Sequence, residues 1–347
     1  MSYVNINLIR SKMRTSLSAS AAQLSKNQLI SPPTQQYFFF ISPMKGKPYA
    51  ALVLSMIFWS FSFVWFKVAN ADYDPVAIVF IRLCLAIVFL SGFLWITKRF
   101  KRVKKEDRKY FFLLALFEPF FYFLGESFGL TYVSSTVGSV IISTIPVFAV
   151  IFAFVIYRER LKLINYMGVI LSFIGVIIFI TNSTGSITLN PKGLALMFLA
   201  VVSAVGYNMV LHRLAYDYDP VTIVNIQNII GAILFLPIFL IFDLKDLIAT
   251  GIVAKSFGAI VLLSVFASCG AFVLFAYSVR HVGIARANIF SNLIPVFTAL
   301  FAFMIVGDRL TVRNGVGMAV VIAGLFLSQA GKNRKAVVDT DFAGRSA

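Results

Sequence analysis

The chain has 347 residues, 59% of them hydrophobic and 13% charged, with a mean hydropathy of +0.88. Soluble domains carry about 25% charged residues, so this composition excludes that class. The net charge of +17 invites a nucleic-acid reading, but eight basic residues lie between Lys98 and Lys109 and most others sit in tails and short connections. That distribution sets membrane topology and attracts anionic lipid, and no nucleic-acid partner is expected.

Residues 1–43 are rich in Ser, Gln and Asn, and their one apolar cluster, 37–41, is too short to span a bilayer or act as a signal peptide. They read as a disordered extension or an upstream mis-start, because Met44-Lys45-Gly46-Lys47 resembles a natural start. A spanning helix needs about 20 apolar residues. Ten stretches qualify: 49–68, 75–97, 110–130, 135–157, 161–181, 193–214, 220–242, 256–278, 283–306 and 312–330. The connections are short and leave no room for a catalytic domain. Residues 331–347 read as a cytoplasmic tail.

The chain is a doubled unit. Tyr73-Asp74-Pro75-Val76 returns as Tyr218-Asp219-Pro220-Val221, 145 positions later. At an offset of 149, Ile145-Pro146-Val147-Phe148 returns as Ile294-Pro295-Val296-Phe297, and Gly168 and Gly175 meet Gly317 and Gly324. With the N-terminus inside, the loops on that side carry fourteen Lys and Arg against five on the other, which puts both termini in the cytoplasm of the cell (inner) membrane. Five helices per repeat is an odd number, so the second repeat enters the membrane upside down. The expected fold is therefore an all-α polytopic membrane protein. Its ten transmembrane helices form two inverted five-helix repeats, 49–181 and 193–330, around a central cavity.

A charge in hydrocarbon costs roughly 2.5–3.5 kcal/mol on insertion scales, so each one needs an account. Glu118, Tyr122 and Glu126 are spaced by four on the third helix, with Pro119 loosening the backbone beside the first. Counting depth at about 1.5 Å per residue places Arg82, Glu126 and Lys67 in one outer layer. The functional reading is a substrate or proton site in which Glu126 titrates. The alternative is that Arg82 and Glu126 pair to hold two helices in register. The second repeat carries neutral groups at the equivalent level, expected on the inner side: Tyr207, Asn208, Asn225, Gln227, Asn288 and Asn292. These either line a polar cavity or serve as interhelical glue.

Pro146 and Pro295 match in the fourth and ninth helices, where symmetric interruptions point to moving parts. The spaced glycines suit close packing within a repeat or between protomers of a homodimer. Trp59 and Trp65 read as interfacial anchors or core. Cys84 and Cys269 fall in apolar segments, and with His limited to His212 and His281 no metal, cofactor or catalytic set is expected.

Two five-helix units, each with a kinked helix and an acidic-Arg-Leu turn (Glu159-Arg160-Leu161 and Asp308-Arg309-Leu310) before a Gly-spaced last helix, resemble the EamA family of the drug/metabolite transporter superfamily. The segment from Pro75 to Arg82 resembles that family's early second helix. The resemblance implies a permease for small metabolites such as amino acids, their derivatives or sugars, with the fifth and tenth helices peripheral. The acidic stripe favours a cationic, zwitterionic or proton-coupled substrate. The rivals are an intramembrane lipid-modifying enzyme, which lacks a convergent His/Asp/Ser set here, a passive channel and a lipid-handling scaffold. The expected partners are a small-molecule substrate and the lipid bilayer.

Overall fold

The computed structural model describes residues 46–98, 102–149, 163–180, 190–307 and 311–329. The expected extension 1–43, the acidic turns at 157–161 and 308–310, and the expected tail 331–347 lie outside the described residues. In chain order the helices are α1 (Lys47–Ala69), α2 (Pro75–Ile96), α3 (Lys105–Tyr132), α4 (Ser135–Ala149) and α5 (Leu163–Ile180). After them come α6 (Pro191–Asp217), α7 (Pro220–Phe242), a short helix Leu244–Thr250, α8 (Ala254–Val282), α9 (284–305) and α10 (Val312–Gln329). No strand occurs among the described residues. Among the described residues six helices are long and apolar enough to cross a membrane: α1, α2, α3, α6, α7 and α8. Large apolar side chains such as Phe89, Trp95, Ile241 and Met304 point outward and exposed. A lipid surround makes such a surface inexpensive.

Helix starts follow local chemistry. Pro75, Pro191 and Pro220 open α2, α6 and α7, where a missing N–H costs nothing. Asp219 caps α7 by accepting from Val221 N at 3.0 Å, and Asn190 caps α6 by accepting from Lys192 N at 2.9 Å.

Both halves interrupt their third helix at the same place. In α3, residues Leu116–Phe121 are wound as a π-helix, with Glu118 extended at φ −147°, ψ 116°. In α8, Leu263–Ala271 are wound likewise. Wider turns of this kind are rare and concentrate at functional sites. The even four-residue stripe expected for Glu118, Tyr122 and Glu126 is therefore corrected at its first step: the helix is not regular between 116 and 121.

Packing between the halves is reciprocal. α1 packs on α8 and α9, and α6 packs correspondingly on α3 and α4, while α2 meets α7, α4 meets α9 and α5 meets α10. Ala77 N donates to Asp243 Oδ2 at 2.7 Å, and Ser91 Oγ donates to Asn225 Oδ1 at 3.2 Å. The start of α2 thus lies at the end of α7 and the end of α2 near the start of α7, so these related helices run antiparallel. In α5 and α10, a Cβ on Gly175 would lie 2.5 Å from Val321 N, and one on Gly324 would lie 2.4 Å from Ser172 N. These glycines permit backbone contact between the two halves of one chain, which corrects the expectation of a seam within a repeat or between protomers.

Hydroxyls from α1 stitch the centre. Ser55 Oγ donates to Ala271 O at 2.9 Å and Ser60 Oγ to Ile294 O at 3.1 Å, while Ser135 Oγ of α4 donates to Phe63 O at 2.9 Å. Each bond satisfies a polar group where water is absent.

Candidate functional site

A cavity lies where α1, α2, α3, α4, α6, α8 and α9 converge. Its polar lining comes from both halves: Arg82, Glu118, Tyr122 and Glu126 from the first, Tyr207, Asn208, Asn288 and Ser291 from the second, with Ser62 of α1. Its apolar wall is Trp59, Phe63, Phe123, Ile142, Ile145, Phe272, Phe275 and Ile294. The volume is about 50 Å³ for the centre of a water-sized occupant, enough for a few waters.

This single chamber corrects the two-layer expectation. Depths counted along the helices separate the charged and amide layers, yet side chains from both line the same cavity. Among the expected residues, Arg82, Glu118, Tyr122, Glu126, Tyr207, Asn208 and Asn288 share the cavity. Four others do not line it. The Lys67 ammonium donates to Leu130 O, tying α1 to α3. Asn225 accepts from Ser91 between α2 and α7, as interhelical glue. Gln227 is 1% exposed and accepts at Oε1 from Tyr207 Oη at 3.2 Å, so it supports the cavity from behind. Asn292 is buried on the turn Phe290–Leu293 with its amide unpaired among the described residues.

Arg82 is 2% exposed. Its Nε donates to Ser268 Oγ at 3.0 Å, from the π-wound segment of α8, and its guanidinium lies 4.2 Å from the centre of the Phe123 ring. Cation–π contact of this kind stabilises a desolvated guanidinium. Among the described residues no carboxylate reaches Arg82 within salt-bridge distance, although Glu126 and Glu118 both act on it electrostatically. The Arg82–Glu126 register pair is thus corrected: Phe123 and Ser268 occupy the guanidinium, and Glu126 accepts instead from Tyr122 Oη at 3.0 Å. Glu118 is 6% exposed and makes no hydrogen bond among the described residues. The chamber therefore presents two Arg82 amino groups and a Glu118 carboxylate with no protein partner there.

Small residues hold the interrupted segment in place. A Cβ on Gly206 would lie 2.6 Å from Phe117, and one on Gly231 would lie 2.2 Å from Pro119 Cγ. The matching prolines also sit at interruptions. Helix α4 turns at Ser143–Thr144 just before Pro146, and α9 passes through Phe290–Leu293 before Pro295. Ser143 Oγ and Ser291 Oγ each donate to the carbonyl three residues back, at Val140 and Asn288.

Sequence reasoning missed Ser62, Phe123, Ser268, Phe272, Phe275 and Ser291, and it read Trp59 as an anchor or core residue. The available signal was spacing: Trp59, Ser62 and Phe63 share one face of α1, and Phe272 and Phe275 share one face of α8.

Two stretches of the chain, residues 46–181 and 191–329, match the model of the EamA-like transporter family. An uncharacterized transporter of Archaeoglobus fulgidus is 28% identical over 81% of this chain and 98% of its own length. A second from the same organism is 25% identical over 83% and 99%. The uncharacterized transporter YcxC of Bacillus subtilis is 25% identical over 83% and 94%. A solved crystal structure superposes with a TM-score of 0.62 at 12% identity, over 82% of this chain and 98% of that one, a likeness of fold alone. With its several membrane-crossing helices and a family match over most of its length, this chain belongs to the EamA-like transporter family of multi-pass membrane proteins, transporters rather than enzymes.

Proposed function

We propose that this protein is a secondary transporter that moves a small zwitterionic metabolite, an amino acid or amino-acid derivative, across the cell membrane by alternating access. The carrying observation is a pair of buried ionisable groups of opposite sign facing one chamber: Arg82, whose amino groups make no hydrogen bond among the described residues while Ser268 takes its Nε and the Phe123 ring its face, and Glu118, which makes no hydrogen bond there. Leaving a buried charge unmatched costs several kcal/mol. A ligand carboxylate on the Arg82 amino groups and a ligand ammonium on Glu118 removes both costs at once, and a planar guanidinium suits two-point carboxylate contact. The aromatic wall takes the apolar part of the ligand.

The antiparallel α2–α7 and α5–α10 pairs support ten spans arranged as two inverted five-helix repeats, 49–181 and 193–330, with both termini cytoplasmic. The halves rock about the chamber, bending near Pro146 and Pro295 where the helices are already interrupted. Glu126, held by Tyr122, exchanges its proton with the transport cycle. A proton that favours one facing by about 1.4 kcal/mol changes the population ratio about tenfold, so weak coupling suffices.

Titration calorimetry on the purified protein tests the substrate class. Candidate amino acids should bind, while the matching amines and the matching deaminated acids should each bind at least about tenfold more weakly. Equal affinity for an amino acid and its amine would remove Arg82 as the carboxylate receptor.

A further inference from the structure

We infer that Tyr73 and Tyr218 are the gate residues at the two ends of the molecule, an inference that rests on the alternating-access reading above. They occupy the same place in the duplicated Tyr-Asp-Pro turn, and each is 4% exposed. Tyr73 Oη accepts from Val253 N at 2.8 Å and donates to Gly251 O at 3.0 Å. Tyr218 Oη accepts from Lys104 N at 3.2 Å and donates to Asp107 Oδ2 at 2.6 Å. Lys104 and Val253 are themselves 149 positions apart, the offset of the Ile-Pro-Val-Phe echo. One hydrogen bond is thus built twice, once per copy.

Each bond also crosses between halves. Tyr73 of the first half holds the segment leading into α8, and Tyr218 of the second half holds the segment leading into α3. The two sites lie at opposite ends of α2, because Tyr73 precedes its first residue and Lys104 follows its last. Twenty-two residues of helix separate them by about 33 Å. Halves that part at one end must break that end's tyrosine bonds and can keep the other's. Both are closed in this structure, and the chamber between them is small.

The two ends differ in chemistry. At the Tyr73 end the further ties are Asp72 to Ser256 and the Ala77 amide to Asp243. At the Tyr218 end the acceptor is a carboxylate, with Arg213 at 4.0 Å from Asp107. A simple fastener at either site would loosen the fold without preferring a side, whereas a gate biases one facing.

The test uses a single reporter, Ser62→Cys in the chamber, with Cys84→Ala and Cys269→Ala, in the full chain reconstituted in vesicles. A charged, membrane-impermeant thiosulfonate is applied to one face at a time. Tyr73→Phe should speed labelling about fivefold or more from the face carrying Val253, and Tyr218→Phe likewise from the face carrying Lys104, since each hydroxyl removed takes two hydrogen bonds with it. Should either variant fail to fold, Val253→Pro deletes the donor at the first gate and Asp107→Ala deletes the acceptor at the second. Acceleration from the same face by both variants, or no change by either, overturns the gates while leaving the transporter reading intact. A reporter unlabelled from either face in every variant overturns the alternating-access reading itself.

Discussion

The interrupted segments of α3 and α8 occupy the same place in the two copies and carry opposite chemistry. Leu116–Phe121 of α3 contains Glu118 beside Pro119 and is followed by Tyr122 and Glu126. Leu263–Ala271 of α8 has no charged residue and offers Ser268, which receives Arg82 from the other half. The same contrast separates Arg82, which faces the chamber, from its counterpart Gln227, which holds Tyr207 behind it. Duplication supplied a symmetric frame, and divergence concentrated the charge on one wall of it.

The most severe way to break this contrast is to make the halves alike. Arg82→Gln should weaken substrate binding about 10- to 100-fold, the worth of a charge-assisted contact, while Gln227→Ala should cost about fivefold or less, the worth of a neutral one. Calorimetry on both variants checks this, and equal losses would show that the charged wall has no special role. Packing comes next. Gly231→Ala sets a methyl 2.2 Å from Pro119 Cγ, whereas Gly270→Ala sets one 3.1 Å from Phe58. Overpacking of the first kind costs about 1–3 kcal/mol, so Gly231→Ala should lower the melting temperature in detergent far more than Gly270→Ala. A reversed order would mean that the α3 segment is not clamped in place.

Proton coupling is confined to the charged half in this account. Glu126→Gln should keep the protein folded and flatten the pH dependence of flux in proteoliposomes; a profile identical to that of the parent would remove Glu126 as the carrier. The smallest effect is expected at Asp243, outside the spans. Burial pushes its carboxyl above the usual carboxylate range, against the opposing bond from Ala77 N. An acid with a raised value binds its proton more readily folded than unfolded, so its contribution favours the fold at low pH and is lost as pH rises through that value. Asp243→Asn, which keeps an acceptor for Ala77, should therefore melt slightly higher than the parent at neutral pH. The gap should close below about pH 4, where the parent carboxyl is protonated in both states.

Much of the frame was legible. Apolar runs placed the six membrane-crossing helices among the described residues to within about five residues, because hydrocarbon length and a proline at N1 leave little freedom, as at Pro75 and Pro220. Position Arg82 and the acids of α3 stood out because charge in lipid is conspicuous. What stayed hidden was geometry that spacing does not encode. A π-wound turn changes the register of a helix without any change in composition, so the even spacing of Glu118 and Tyr122 did not reveal the interruption between them. Depth counts locate backbones, whereas Glu126 and Asn208 share a chamber through their side chains. Ser268 carried no signal, since serine is common in spans and its partner lies 186 positions away. Trp59 was ambiguous for the same reason: an anchor and a cavity wall use the same side chain, and only the direction of α1 distinguishes them.

The central claim, one chamber shared by both halves, is tested most directly by substrate protection. Cysteines introduced singly at Ser62 in α1 and at Ser291 in α9, with Cys84 and Cys269 replaced by alanine, would be titrated with a thiol reagent against rising amino acid. The account predicts that both sites are shielded with the same half-protection concentration. Protection of one site alone, or concentrations more than tenfold apart, would contradict it.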